Sequence, residues 1–141
     1  QFYLDQIMNI CFEEKRTGKK PKWKAFENNL LGYDVLSVKD ECSEELLAIE
    51  VKGSLHSINS AVFYITSGEW EYALLKQGHC FHIWSLPENK LAILKKDQIK
   101  SHVPTNNGQG AWTSVAIKYS LFSDSFFYSD IEDVDSIDYG Y

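Results

Sequence analysis

The sequence predicts an α/β or α+β domain with one mixed central β-sheet flanked by helices. Three observations carry this prediction: helical spacing of apolar residues near the start, several short β-rich runs, and a second helical segment between two of these runs. The chain has 141 residues, of which 44% are hydrophobic, 14% are aromatic and 24% are charged. This is the size of one ordinary domain, with enough apolar residues for a single core.

The first third of the chain is predicted to form a helix followed by a strand hairpin. Apolar residues repeat at helical spacing in the first segment, at Leu4, Ile7, Met8 and Cys11. This spacing predicts a helix over residues 2–17, and Gly18 and Pro21 are typical residues for its end. Two β-rich runs, residues 33–38 and 46–52, then predict adjacent strands joined by a polar turn.

A strand, a helix and three further strands are predicted to follow. Residues 61–65 are β-rich, and Thr66 with Glu69 has the spacing of a capping box at the start of a helix. Gly78 is predicted to end that helix. The remaining strands are predicted at residues 80–86, 91–94 and 113–119, with a loop at 104–111. Helices and strands therefore alternate within one domain.

The charges are divided unevenly along the chain. The formal net charge is −6, and residues 123–141 hold six acids without any Lys or Arg, so residues 1–122 are neutral overall. We therefore expect a folded domain over 1–122 and an acidic, aromatic tail over 123–141 that is flexible or docks to a partner. A basic segment suits a phosphate backbone, with a solvated loop as the alternative. Its members are Lys15, Arg16, Lys19, Lys20, Lys22 and Lys24.

Composition also limits the class of protein. The three cysteines include no Cys-x-x-Cys pair, which favours a reduced protein inside the cell, cytoplasmic in a prokaryote or nuclear in a eukaryote. No apolar run reaches the ~20 residues that a membrane span needs, so we expect no membrane association. The chain starts at Gln1, which suggests a domain of a longer or processed polypeptide.

The clearest chemical signal lies in the second predicted strand. Because side chains alternate along a strand, Glu50 and Lys52 share one face while their apolar neighbours share the other. Asp34 stands near the start of the neighbouring strand. Two carboxylates and a lysine at adjacent strand ends suit a hydrolase of phosphodiesters that holds a hard cation such as Mg²⁺. A half-buried structural Glu–Lys pair is the alternative.

These residues also carry a resemblance. Asp34 followed by Glu50-Val51-Lys52 resembles the signature of the PD-(D/E)XK nuclease superfamily. A wider set of segments over about residues 7–95 resembles the domain at the C-terminus of the plant NO VEIN protein, which also occurs in bacterial restriction- and helicase-associated proteins. The segments are FEEKRTGKKP, LGYDVLSV, LAIEVKG, VFYITSGEWEYA and GHCFHIWSL. The resemblance implies a restriction-endonuclease-like fold and a DNA endonuclease that depends on Mg²⁺ (or Mn²⁺).

The resemblance assigns roles residue by residue. It makes Asp34 and Glu50 metal-binding carboxylates, the backbone carbonyl of Val51 a further metal ligand, and Lys52 the catalytic lysine. Ser67 and Glu69 match a family motif and would support the site. Glu69 also fits the capping box, and this structural role is an equally good interpretation.

Family members often carry an additional acid in the first helix. The spacing of Leu4, Ile7 and Cys11 continues to Glu14, which favours Glu14 over its rival Glu13 as an inward-pointing catalytic and metal-binding carboxylate.

Two histidine-containing segments are weaker signals. His79-Cys80-Phe81-His82 invites a zinc interpretation, but on a strand the two histidines point to opposite faces. His56 follows the predicted site and either contacts a phosphate or is an ordinary loop histidine.

The expected function is therefore a Mg²⁺-dependent endonuclease domain of a larger restriction, defence or DNA-processing protein. Its expected partners are double-stranded DNA and the other domains of that polypeptide, and a homodimer is left open. The alternative is a catalytically inactive module of the same fold that binds nucleic acid or a protein partner. A metal-independent hydrolase with a Cys or Ser nucleophile has little support in the sequence.

Overall fold

The elements observed in a computed structural model follow the predicted order. The structure describes residues 4–24, 33–104 and 112–131. Its helices are α1 (Leu4–Thr17), α2 (Ser67–Leu75) and α3 (Lys96–Ile99), with 3-10 turns at Lys100–His102 and Tyr119–Ser125. Its strands are β1 (Lys22–Trp23), β2 (Val35–Val38), β3 (Leu46–Ser54), β4 (Val62–Thr66), β5 (His79–Ser85), β6 (Lys90–Leu94), β7 (Ser114–Lys118) and β8 (Phe126–Tyr128). The predicted mixed α+β class is confirmed.

The strands form one large mixed sheet and one small sheet. The large sheet has the order β1-β2-β3-β5-β6-β8, and its only parallel pair within the described residues is β3 with β5. Strands β4 and β7 form a separate antiparallel pair. A parallel pair needs a crossover connection, and here the crossover passes through β4 and α2. The fold is compatible with a restriction-endonuclease-like sheet.

Hydrophobic residues form a core on each face of the large sheet. Because side chains alternate along β3 and β5, Val51 and Trp84 belong to the core under α1, while Phe81 and Ile83 belong to the core under the crossover. All seven residues of β5 are buried, as expected for a central strand covered on both faces.

Helix α1 is turned differently from the predicted orientation. Its buried residues are Gln6, Met8, Asn9, Ile10, Glu13 and Thr17, and Glu14 is exposed. Gln6 and Asn9 accept hydrogen bonds from partners that the helical spacing cannot reveal. Trp23 Nε1 donates to Gln6 Oε1, and Trp84 Nε1 donates to Asn9 Oδ1 at 3.0 Å. A buried polar group is stable only when it is hydrogen-bonded, so these partners fix the rotation of the helix.

The predicted boundary after residue 122 is wrong, because residues 126–131 are packed into the domain. Strand β8 pairs with β6, with Phe126 opposite Ala92. Ile131 is only 5% exposed, and its carbonyl accepts a hydrogen bond of 2.7 Å from Asn89 Nδ2. Residues 132–141, the rest of the predicted tail, lie outside the described residues.

Among the described residues, no helix combines the length and the apolar character required to cross a membrane.

We expect Ile131→Ala to lower the free energy of unfolding by about 2–4 kcal/mol, because it removes a buried side chain from the core under α1. Urea denaturation followed by tryptophan fluorescence measures this. Leu121→Ala is the matched control, because Leu121 is 53% exposed, and it should cost less than about 1 kcal/mol. Equal effects of the two substitutions would mean that Ile131 is not part of the core.

Candidate functional site

Asp34, Glu50 and Lys52 lie together at one end of β3. The antiparallel register of β2 and β3 places Val35 opposite Ile49, and the Asp34 N–H donates to the Ile49 carbonyl at 2.9 Å. The Asp34 carboxylate reaches across the strand, where Oδ2 accepts a hydrogen bond of 2.8 Å from the Val51 N–H. These backbone bonds hold Asp34 beside the Glu50-to-Lys52 segment that the sequence singled out.

Lys52 lies between two carboxylates. Its Nζ is 3.1 Å from Glu50 Oε2 and donates to both oxygens of Glu69, at 2.9 and 3.1 Å. Only 16% of the Lys52 side chain and 6% of the Glu50 side chain are exposed. A charge buried to this extent requires a partner, and each of these two residues supplies one for the other.

Glu69 has both of the roles that its position suggested. Its carboxylate accepts a hydrogen bond of 2.9 Å from the Thr66 N–H, and Thr66 Oγ1 accepts one of 3.1 Å from the Glu69 N–H. The predicted capping box at the start of α2 is therefore present. Since the same carboxylate binds Lys52, the cap fixes the start of α2 over the end of β3.

The carboxyl groups around Lys52 have perturbed pKa values. Burial raises the pKa of Glu50 well above its ordinary value, and the nearby charges of Asp34 and Glu69 act in the same direction against the attraction of Lys52. Burial also raises the pKa of Asp34, although the Val51 N–H and a hydrogen bond with Glu50 oppose it. Ionisation of these carboxyls is therefore costly.

Lys52 and Glu69 are shifted toward their charged forms. Burial alone would lower the pKa of Lys52, but the attraction of Glu50 and Glu69 outweighs it and the pKa is raised. Burial would likewise raise the pKa of Glu69, but Lys52 and the Thr66 N–H lower it overall. The Lys52–Glu69 pair is thus the ionised part of the site, beside two carboxyls that resist ionisation.

Asp5 is a further carboxylate of the site that the sequence analysis missed. Gly53 follows Lys52 in β3, and a Cβ added there would lie 2.6 Å from the Asp5 Cβ. The absence of a side chain at Gly53 therefore lets the start of α1 approach the sheet. Burial raises the pKa of Asp5, the Asp34 charge raises it further, and Lys52 lowers it.

A four-residue repeat in the sequence is the signal that would have indicated Asp5. Asp5, Asn9, Glu13 and Thr17 follow each other at intervals of one helical turn. The last three are buried against the sheet, so the first faces the sheet as well. Apolar periodicity alone does not detect such a polar face.

Glu14 and Glu13, the predicted helix acids, do not reach this site. Glu14 is exposed, which corrects the preferred assignment. Glu13 is fully buried but pairs with Arg16, whose guanidinium donates to the carbonyls of Val38 and Lys39 at 2.6 and 2.7 Å. Val38 lies at the end of β2 that pairs with the start of β3, so Glu13 belongs to the opposite end of the sheet.

The remaining predicted residues have mixed positions. Ser67 is the first residue of α2, and its N–H donates to Thr113 at 2.9 Å. His56 is exposed just after β3, and its N–H donates to Ser54 Oγ at 3.0 Å. The side chain of Val51 is buried under α1.

The members of the basic segment differ in their contacts and exposure. Arg16 is engaged with Glu13 and with backbone carbonyls, which is a structural role and a correction. Lys15 and Lys19 donate to the carbonyls of Asp130 and Ser43 at 3.3 and 3.1 Å. Lys24 donates its backbone N–H to the Asp34 carbonyl at 2.9 Å. The other two members are exposed, Lys20 and Lys22.

The donor atoms suit a hard cation better than a soft one. Asp34, Glu50 and Asp5 offer carboxylate oxygens, and burial is the largest cause of their raised pKa values. Within the described residues, no group of three or more His, Cys, Asp or Glu side chains is arranged to hold one metal ion. Mg²⁺ is commonly held by one or two carboxylates, with water and substrate phosphates as its other ligands, and Asp34 and Glu50 are the residues that could supply them.

Comparison with known proteins supplies the family. No curated protein and no solved structure gives a significant match to the chain. A family model described as protein NO VEIN, C-terminal, matches residues 6–93. The matched region runs from α1 into β6 and includes Asp34, Glu50, Lys52 and Glu69. The chain therefore belongs to the family of NO VEIN C-terminal domains.

Proposed function

We propose that this domain is a Mg²⁺- or Mn²⁺-dependent endonuclease of the PD-(D/E)XK type that cleaves double-stranded DNA. The observation that carries the proposal is the convergence of Asp34, Glu50 and Lys52, with a 3.1 Å contact between the last two. Buried acids with raised pKa values beside a specific charge partner are typical of functional sites.

Each residue of the site has a separate role in the proposed reaction. Asp34 and Glu50 would hold the cation, and Asp5 replaces Glu14 as the helix acid beside them. When bound, such a cation polarises the phosphoryl group and lowers the pKa of a bound water. Lys52 orients the attacking water or stabilises the charge that develops on the scissile phosphate. Glu69 holds the Lys52 ammonium in position.

The cellular compartment and the larger polypeptide are part of the same proposal. All three cysteines are free, as suits a reducing compartment, either the cytoplasm of a prokaryote or the nucleus of a eukaryote. The other partners of the domain would be further domains of a restriction, defence or DNA-processing polypeptide.

The alternative is a catalytically inactive module of the same fold that binds nucleic acid or a protein. It is favoured by the engagement of Lys52 with two carboxylates and by the absence, in the described ranges, of a ready-made metal-ligand group. Such a module would have no need to bind divalent cations at Asp34 and Glu50.

Cleavage of plasmid, linear duplex and single-stranded DNA in Mg²⁺ and in Mn²⁺ tests the main proposal. We expect divalent-dependent cleavage of duplex DNA that falls at least about 100-fold in Glu50→Gln and in Lys52→Met, since each removes a group acting in the transition state. Glu71→Gln and Lys76→Met are matched controls, because both residues are exposed. A wild-type protein inert on all substrates with both cations would refute the nuclease proposal.

Glu50→Gln should stabilise the protein in EDTA at pH 8. The folded-state pKa of Glu50 lies above its unfolded value, so its favourable contribution is complete below the unfolded pKa and is lost as pH rises through the folded pKa. Removal of this buried acid, while Lys52 keeps Glu69, should raise the free energy of unfolding by about 1 kcal/mol or more. Denaturation at pH 4.5–8 should show wild type and variant diverging as pH rises.

The same pair of proteins separates the two functions through a thermal shift with Mn²⁺. A cation held by Asp34 and Glu50 stabilises wild type in proportion to its occupancy and leaves Glu50→Gln unchanged. Equal shifts in both proteins, or none in either, would favour the inactive module.

Gly53→Ala and Asp5→Asn should each lower DNA cleavage about tenfold or more. The new methyl group at Gly53 must displace Asp5, and the amide removes a charge beside Asp34, so both changes weaken cation binding. Gly68→Ala is the control, because a Cβ at Gly68 meets nothing within 4 Å. Full activity in both variants would exclude Asp5 from the site.

A further inference from the structure

The two-stranded sheet of β4 and β7 has one buried face and one exposed face. Phe63, Ile65 and Ile117 belong to the core under the crossover and are 2% exposed or less. Because side chains alternate along a strand, the remaining residues form the opposite face, which we call the outer face. All six of its members are exposed: Val62, Tyr64 and Thr66 on β4, and Ser114, Ala116 and Lys118 on β7. The outer face is therefore carried by a packed core rather than by a loop.

The strand register makes the outer face one continuous surface. Tyr64 lies opposite Ala116, with the pairs Val62–Lys118 and Thr66–Ser114 on either side. Tyr64 and Lys118 are diagonal neighbours, a separation that aromatic and long side chains can span. None of the six side chains is acidic, so no member of the outer face neutralises Lys118. The outer face thus combines an aromatic ring with a cation.

The ring of Tyr64 is available to a ligand. The residue is 58% exposed, and apolar area that stays in water contributes nothing to folding. Its cross-strand neighbour is Ala116, whose methyl group is too small to cover an aromatic ring. The ring therefore stands on the outer face with apolar surface that the fold itself does not use.

An exposed ring beside a lysine suits an unpaired nucleic-acid strand. Sheet faces that bind single strands stack the bases on aromatic side chains, while cations contact the phosphates. The centre of a protein interface instead needs several large apolar anchors, and the outer face has only Tyr64 and Val62. A blunt duplex suits it less well, because the bases of a duplex are already stacked on one another.

The outer face ends next to the proposed nuclease site. Tyr64 is two residues before Thr66, which corresponds to about 7 Å along β4. The Thr66 N–H donates to the Glu69 carboxylate at 2.9 Å, and the same carboxylate accepts from Lys52 at 2.9 Å. A strand with one base on Tyr64 would therefore have another of its phosphates, a few nucleotides further on, near Lys52.

We propose that the outer face binds an unpaired DNA strand, with a base stacked on Tyr64 and a phosphate at Lys118. The substrate of the nuclease site is then duplex DNA with a single-stranded extension. This inference rests on the proposed function, because the nuclease site is what makes DNA the ligand. It adds a preference for DNA structure that Asp34, Glu50 and Lys52 alone do not supply.

Fluorescence anisotropy with the full chain carrying Glu50→Gln, in Mg²⁺, tests the proposal without hydrolysis. The probes are a blunt duplex, the same duplex with a 5′ or a 3′ single-stranded extension, and the extension alone. We expect the better extended duplex to bind about tenfold more tightly than the blunt one, and Tyr64→Ala to remove this advantage, because the stacked base is lost. Tyr64→Phe keeps the ring and should keep the advantage. Lys118→Gln should reduce both the advantage and its dependence on salt.

Tyr128→Ala is the matched control, because Tyr128 is 67% exposed and lies on β8, outside the outer face. An advantage that depends on the Tyr64 ring supports the inference. It is overturned by the absence of DNA binding, by equal binding of blunt and extended duplexes, by equal losses in Tyr64→Ala and Tyr128→Ala, or by a Tyr64→Phe variant as weak as Tyr64→Ala. Because Tyr64 is exposed, its variants should fold normally, which circular dichroism checks.

Cleavage assays separate this inference from the nuclease proposal. Tyr64-dependent binding of extended duplexes by a wild-type chain that cleaves no DNA would refute only the nuclease. Divalent-dependent cleavage that is equal for blunt and extended duplexes, and unchanged in Tyr64→Ala, would refute only the role of the outer face.

Discussion

The parallel pairing of β3 with β5 is the constraint on which the arrangement of the site depends. Parallel neighbours cannot be joined by a tight turn, so the chain must cross over one face of the sheet before it returns. The crossover contains the capping box at the start of α2, and the Glu69 carboxylate both completes that cap and binds Lys52. The side chain of Glu69 thus stabilises both the start of α2 and the polar site. It holds α2 over the face of the sheet that carries Glu50 and Lys52.

The other face is set by the polar side of α1. Gln6, Asn9 and Glu13 are buried, and each is bonded to a partner on β1, on β5 or in α1 itself. A helix held by apolar contacts alone tolerates small rotations, whereas buried hydrogen bonds have narrow geometric limits. The rotation that satisfies these bonds also directs Asp5 toward Gly53 at one end and Arg16 toward the end of β2 at the other.

Local patterns predicted most of the elements but not their mutual orientation. The two long helices, the β2–β3 hairpin, β5, β6 and the Thr66–Glu69 cap follow from periodicity and turn residues within a few positions of one another. The two-residue β1 and the three-residue β8 exist only because a neighbouring strand pairs with them, so their sequences carry no sufficient signal. The charge count misplaced the domain boundary for the same reason, since it recorded acids and could not record that Ile131 is buried.

The site shows the same division between local and tertiary information. Asp34, Glu50, Lys52 and Glu69 were found because strand alternation and a family resemblance fix their positions. Asp5 was missed and Glu14 was wrongly preferred, because the apolar stripe of α1 is about one residue out of phase with the face that is buried. The correct phase is set by Asn9 and Gln6, whose partners Trp84 and Trp23 are distant in sequence. No periodicity analysis of the helix alone contains that information.

The free-energy cost of burying these acids is the strongest argument for the function proposed for the site. The site holds three carboxyls with raised pKa values, Asp5, Asp34 and Glu50, and one ammonium, Lys52, which is paired with Glu50 and Glu69. A domain selected only for stability would replace some of these acids by apolar or amide residues of similar size, because an uncompensated buried charge opposes folding. Under the proposed function, a divalent ion held by these carboxylate oxygens would relieve the repulsion between the acids that the metal-free protein must tolerate. The excess of acids that weakens the metal-free fold is therefore the property that would let it bind a cation tightly.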